Sequence, residues 1–321
     1  MSPAGALIAA EIERGGPVSF RRFMEVALYH PECGYYRRGR NVFGKEGDYY
    51  TAEQIQPVFG ILIDSLVEAL AEESGLGNRF QVVELGSGRA EMAPFLSRWR
   101  YRPVEIGDLM PEEISGLVFA NEFFDALPVD VARRRGARFH QMRVGLDAGK
   151  FVWVEGAPVA DEQEEYLHRY AAAAADGAWV EVALDALRWV ERIARSLVRG
   201  WLLVIDYGYT ERELVRFPAG TLMSYRRHTA SEDVLAEPGE RDITAHVPFT
   251  ALERHARRFG LEPIRLESLA SLVLRIGERD RFARVLAASS EPEAIRRRLQ
   301  LKSLLVGLGE TFRALLLRKG G

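Results

Sequence analysis

A short apolar strand running into spaced glycines has the plainest chemical meaning in this sequence. In Val82-Val83-Glu84-Leu85-Gly86-Ser87-Gly88-Arg89-Ala90 the glycines follow the strand and precede a helix-forming stretch. Backbone at Gly86 and Gly88 can therefore approach a ligand at the strand's carboxyl end, where open α/β sheets bind ligands. Three cofactor classes use such a turn. A nucleotide P-loop needs Gly-Lys-Ser/Thr, which this turn lacks. A dinucleotide turn needs a third glycine where this chain has Glu91, and a carboxylate beside a pyrophosphate at a helix start is unfavourable. S-adenosylmethionine carries no phosphate and a positive sulfonium, so Glu84 just ahead of the glycines is favourable near its cationic end. Glu105 follows Gly86 by 19 residues, close to the spacing of about 20 at which dinucleotide folds place a ribose-binding acid. A surface carboxylate accounts for Glu105 equally well.

A second cluster, Asn121-Glu122-Phe123-Phe124-Asp125, follows another apolar strand. Methyl transfer is an in-line displacement in which positioning and desolvation supply most of the catalysis. Paired acids there could orient a cationic acceptor group. Asn121 or Glu122 could sit near the transferred methyl, with Phe123 and Phe124 as walls. The competing reading packs both phenylalanines in the core and uses Asp125 to cap a turn before Pro128. Asp206 and Tyr207 end a strongly apolar strand, a site-facing position or a structural one. Arg226, Arg227, His228 and His246 could line an acceptor cleft. The six histidines show no metal-ligand spacing, and no metal is expected.

The elements around these residues alternate. Helices are predicted over 2–14 and 19–29, the second capped by Ser19, and from Pro57 to about Ser74. Between them, 30–56 reads as a long ordered loop rich in glycine and tyrosine. From residue 80 come strands at 80–86, 102–106, 115–121, 128–133, 138–144, 150–155, 178–184 and 201–208. Helices are predicted at 90–99, 161–175 and 185–199, then a helix at 248–259 and a strand at 262–267. Interleaved strands and helices predict a mostly parallel, doubly wound sheet.

Composition narrows the class. The 321 residues are 47% hydrophobic and 28% charged, which excludes disordered and collagen-like chains. A net charge of -3 removes the basic field of a general nucleic-acid binder. No apolar stretch approaches the roughly 18 residues that a membrane span needs, so no membrane insertion is expected. Cys33 is the single cysteine and can form neither an internal disulfide nor a cysteine-based zinc site. A reducing, cytoplasmic location is expected.

Beyond these signals, a long ordered set of motifs resembles one family. It runs from Ser19-Phe20-x-Arg22-Phe23-Met24-Glu25 through Tyr29-His30-Pro31 and Gly34-Tyr35-Tyr36 to Phe43-Gly44-x-x-Gly47-Asp48-Tyr49-x-Thr51-Ala52. Glu84-Leu85-Gly86-x-Gly88-Arg89, Asn121-Glu122-Phe123-Phe124-Asp125-Ala126-Leu127-Pro128, Ile205-Asp206-Tyr207-Gly208 and Pro238-Gly239-Glu240-x-Asp242-Ile243-Thr244-Ala245-His246 continue it. Together they resemble the MidA family, over roughly residues 12–318. The resemblance implies an α/β fold, a Rossmann-like class-I methyltransferase sheet with an N-terminal helical and loop cap and further insertions. It implies residues 1–78 as the cap and 79–321 as the core, with an acceptor-side insertion at about 209–247. S-adenosylmethionine is the implied methyl donor and S-adenosylhomocysteine the product. Gly44, Gly47, Asp48, Thr51, Glu84, Gly86, Gly88, Glu105 and Asn121 are the implied cofactor residues. Asn121, Glu122 and Asp125 are implied catalytic residues, and Tyr49, Phe123, Phe124, Asp206, Tyr207 and His246 the acceptor side. For the mitochondrial relatives it implies protein-arginine methylation on a subunit of respiratory complex I, hence a protein partner. Rival readings are a non-catalytic assembly factor of the same fold and a small-molecule methyltransferase.

Three departures from the family pattern bear on this. Ala90 replaces the third glycine, and Glu53-Gln54 replaces Pro-Glu. Only 35 residues separate Gly86 from Asn121, where two strands and a helix on a βαβ scale of about 30 residues per unit need roughly twice that. Aligned from the left, Glu105 is the ribose acid; aligned from the right, that strand is deleted and the acid with it.

Overall fold

The computed structural model describes residues 1–37, 55–226 and 229–320. Contacts group these into two interleaved units. The first holds the described parts of Met1–Tyr50, Asp125–Leu187 and Tyr209–Ala251, the second those of Thr51–Phe124, Arg188–Gly208 and Leu252–Gly321. These divisions differ from the expected 1–78 and 79–321.

The second unit is built on a mixed sheet. Its strands are β1 (Gln81–Leu85), β2 (Arg100–Val104), β3 (Ile114–Asn121), β4 (Leu197–Tyr209), β5 (Glu262–Ser268) and β6 (Phe312–Lys319). They lie in the order β5-β6-β4-β3-β1-β2. β2 and β3 flank β1 in parallel, β4 runs parallel to β3, and β6 enters antiparallel between β4 and β5. Val82, Leu117, Phe119, Leu203 and Leu316 line one face and are buried against helix Val58–Ser74, which contributes Phe59, Ile63 and Val67. Burying each such side chain is worth about 1.5–3 kcal/mol, which fixes the sheet ends that carry the candidate residues.

Among the described residues a single strand, β2, lies between the glycine turn and β3. It pairs with β1 from Gln81↔Arg100 to Leu85↔Val104. The shortened stretch has thus kept the strand beside the glycine turn, and Glu105 directly follows its end. The helix expected over 90–99 is only Ala93–Leu96. Ala90 at φ +56° takes the chain out of helical geometry at the point where the helix was to start.

In the first unit, helices Pro3–Gly15 and Phe20–Tyr29 begin at Ser2 and Ser19, whose side chains accept the backbone N–H groups of Gly5 and Arg22. The strands expected to continue a parallel sheet form an antiparallel one instead. Asp130–Arg135 pairs with Arg138–Asp147 and with Trp179–Val182, and Lys150–Pro158 pairs with Arg138–Asp147. Two tight turns reverse the chain, at Gly136 and at Ala148-Gly149, where both residues have positive φ. Such turns match the twist of hairpin strands. Helix 161–175 ends at Tyr170. A small sheet, with Met223–Arg226 between Thr229–Ser231 and Asp242–Thr244, falls within the expected insertion.

Candidate active site

Gly86 continues the sheet ladder, donating its N–H to Val104 O at 2.9 Å, and then turns at φ +67°. A side chain cannot be accommodated there, because a Cβ would lie 2.7 Å from Phe123 Cδ2. Gly88 at φ +53° and Ala90 at φ +56° are left-handed as well. Glu105 ties this turn to the end of β2. Its Oε1 accepts from Ser87 Oγ at 2.8 Å and from the Gly88 N–H at 3.1 Å, and its own N–H is held by Asp108 Oδ2 at 2.9 Å. Beneath the turn Glu84 is fully buried and accepts a hydrogen bond from the Tyr101 hydroxyl. Burial pushes the nearby Glu91 carboxyl up, with Arg89 opposing.

One strand over, β3 ends at Asn121, which is 4% exposed. Its Nδ2 donates to Glu122 Oε1 at 3.3 Å, which sets the amide's orientation. Oδ1 is buried with no partner among the described residues. Leaving such an acceptor unmade costs about 1–3 kcal/mol, so the site is shaped to receive a donor. Glu122 turns at φ +49°, a conformation that non-glycine residues keep only where surroundings enforce it. The enforcing bonds are visible: Glu122 N–H donates to Ile205 O at 2.9 Å, and Phe124 N–H to Asp206 Oδ2 at 3.1 Å.

Several expected acceptor-side residues do other work. Phe123 and Phe124 are nearly fully buried; Phe123 packs edge-on to Trp189 and Phe124 and floors Gly86, so the rings are core and not walls around a guanidinium. Asp206 is fully buried, and its carboxylate receives the backbone N–H groups of Phe124 and Tyr207. Tyr207 packs edge-on to Phe312 at 5.3 Å. The pair therefore anchors the 121–124 turn to β4.

Asp125 and His246 belong to the first unit. Asp125 is buried, and its carbonyl accepts from Ala245 N–H at 2.9 Å. His246 donates its N–H to Thr221 Oγ1 at 3.0 Å and sets its ring edge-on to Phe217; burial lowers its pKa. In turn Thr221 N–H donates to Glu181, a carboxyl that burial pushes up. Asp242, 1% exposed, accepts from Tyr36 OH at 2.7 Å. Tyr225 faces Asp242 in register, and burial together with Asp125 and Asp242 raises its phenol. The expected Gly44, Gly47, Asp48, Tyr49, Thr51, Arg227 and His228 lie outside the described residues. Sequence reasoning passed over Ser87, Tyr101 and Glu181. Tyr101 stands beside Val82 in the register of β1 and β2, which only the fold reveals; the Glu181–Thr221 pairing, between residues 40 apart, likewise had no local signal.

Ends of three adjacent strands thus present carboxylate, glycine backbone and an orphan amide oxygen. These suit a ligand that brings hydroxyls to the carboxylate, as S-adenosylmethionine does, and leave the amide oxygen for an N–H donor. A family model described as "Putative S-adenosyl-L-methionine-dependent methyltransferase" matches residues 93–266, more than half of the chain. The chain belongs to this family. Among its relatives, the "Protein arginine methyltransferase NDUFAF7 homolog, mitochondrial" of Drosophila melanogaster is 27% identical, with 77% of this chain and 68% of that protein covered. The Homo sapiens "Protein arginine methyltransferase NDUFAF7, mitochondrial" is 25% identical, covering 94% of this chain and 80% of that one. A Burkholderia thailandensis crystal structure bound to S-adenosyl-homocysteine superposes with a TM-score of 0.86 at 27% identity, covering 98% and 92% of the two chains. The MidA resemblance, the Rossmann-like fold and S-adenosylmethionine-dependent methyl transfer stand on these findings together.

Proposed function

We propose that this methyltransferase acts on the guanidinium of arginine in a protein, and that its partner is a subunit of a respiratory complex in the cytoplasm's reach. The relatives' printed names support arginine as acceptor; the MidA resemblance and the single Cys33 support the partner and location. The observation that carries the reading is the orphan Oδ1 of Asn121 at the sheet's carboxyl end, one strand from Gly86. In this reading Glu105 receives the donor's ribose hydroxyls, the Gly86–Gly88 backbone lies against its methionine part, and Glu84 lends negative charge below. The donor, when bound, supplies an electrophilic methyl on a sulfonium. Asn121 Oδ1 accepts an N–H of the acceptor and Glu122 steadies its charge. Holding the reactants aligned and dry is the main contribution of such a site, and the acceptor nitrogen sheds one proton for each methyl gained.

The test is calorimetric titration with S-adenosylhomocysteine, then transfer of labelled methyl to arginine-containing protein with amino-acid analysis of the product. Micromolar binding, about -8 kcal/mol, is expected, with loss in Gly86→Val because of the 2.7 Å approach to Phe123. Label recovered on lysine, or only on small molecules, overturns the arginine assignment.

A further inference from the structure

Helix Glu291–Leu305 lies beyond the residues the family model matches and takes no part in the site above. Ser290 caps it by accepting Glu293 N–H. One face is anchored: Leu304 is fully buried, and Arg297 turns inward to Glu293 and to the carbonyls of Val285 and Ala287. The opposite face is unusual. Ile295, Leu299 and Val306 are 49%, 60% and 58% exposed. At 3.6 residues per turn, Ile295 and Leu299 fall in the middle of the outward arc, with Arg298 and Lys302 on one flank and Arg296 on the other.

Those three cations are exposed, and none has an ion-pair partner among the described residues. Other surface arginines are paired, as Arg22 is with Glu11, Arg135 with Glu155, Arg169 with Glu165 and Arg257 with Glu253, while exposed Arg79, Arg102 and Arg212 stand singly among the described residues. The chain as a whole carries -3, so three such cations gathered around outward-facing aliphatics on one helix are a local concentration of positive charge. Three aliphatic side chains on a stripe about 16 Å long are too few for a protein interface, which needs about 800 Å² on each partner. They suffice for shallow seating among lipid headgroups when cations add attraction to an anionic surface. Lysine and arginine stems also lie along apolar matter while their heads stay wet.

We propose that this helix face is a peripheral docking surface for anionic lipid bilayers, seating Ile295, Leu299 and Val306 at the headgroup boundary with Arg296, Arg298 and Lys302 against lipid phosphates. Such adsorption needs no spanning segment, and among the described residues no helix is long and apolar enough to cross a membrane.

The test is co-sedimentation of the full chain with phosphatidylcholine vesicles, with and without about 30 mol% phosphatidylglycerol. Partitioning at least about ten-fold stronger onto the anionic vesicles is expected, weakening as salt is raised. Leu299→Asp and the triple variant Arg296→Glu, Arg298→Glu, Lys302→Glu should each lose about ten-fold or more, with S-adenosylhomocysteine binding retained as the check on folding. Arg135→Glu, on the first unit, should bind vesicles as the wild type does. Equal partitioning onto neutral vesicles, no partitioning at all, or binding that survives the charge reversal overturns the proposal. In the no-partitioning case the face belongs to a protein partner.

Discussion

Asn121 is stability spent on function. Its Oδ1 lies buried with no partner among the described residues while its Nδ2 is held by Glu122. Asn121→Leu, of similar shape, removes the orphan, so the free protein should gain about 1 kcal/mol in urea melts while methyl transfer falls at least ten-fold. A variant that loses stability would show that the amide is a structural tie. Glu105 is the complementary case. Its carboxylate already holds Ser87 and Gly88, so Glu105→Ala should loosen the turn and remove the ribose acceptor together. A ten-fold or greater rise in the Kd for S-adenosylhomocysteine is expected, about 1.4 kcal/mol, with the product titration as the measurement.

At the scale of elements, the glycine turn shows what can be read from a sequence and what cannot. An apolar strand ending in Gly-x-Gly leaves few local conformations, so Gly86, Gly88 and their strand were legible, as were Ser19 as a cap and the apolar stripe of helix Val58–Ser74. The strands at 128–184 were recognisable as strands, but alternation reports which side of a sheet is buried and says nothing of direction. Their antiparallel pairing rests on short turns, of which Ala148-Gly149 was the readable sign. The helix at 90–99 failed because apolar spacing does not register one residue at φ +56°. Likewise Asp206 was visible as an acid at a strand end, but its backbone partner, Phe124, is 82 residues away. The strain at Ala90 gives a prediction. Left-handed geometry costs a non-glycine residue about 1–2 kcal/mol, and glycine's extra unfolded freedom costs about 0.4–1. Ala90→Gly should therefore stabilise by about 0.5–1 kcal/mol in thermal or urea melts and leave S-adenosylhomocysteine affinity intact.

For the molecule as a whole, a part-buried histidine and a buried carboxyl set opposing pH trends. Burial lowers the pKa of His246 below the ordinary value. The unfolded chain then binds the proton more readily, so the contribution to stability is full above about pH 6.5 and drains away as pH falls below it. His246→Gln should flatten that acidic limb in urea melts between about pH 5 and 8. Glu181 is pushed up by burial, so its stability is present below the ordinary carboxylate range and lost as pH rises through the raised value; Glu181→Gln should recover it near neutrality. The order of strands has a consequence of another kind. β6 sits inside the sheet, with β4 on one side and β5 on the other, yet it comes about a hundred residues after β4 along the chain. While the polypeptide is being made, β4 therefore waits with one edge bare, its row Trp201-Leu202-Leu203-Val204-Ile205 open to any passing strand. Until residues 312–319 have emerged, the nascent protein is a natural client for chaperones.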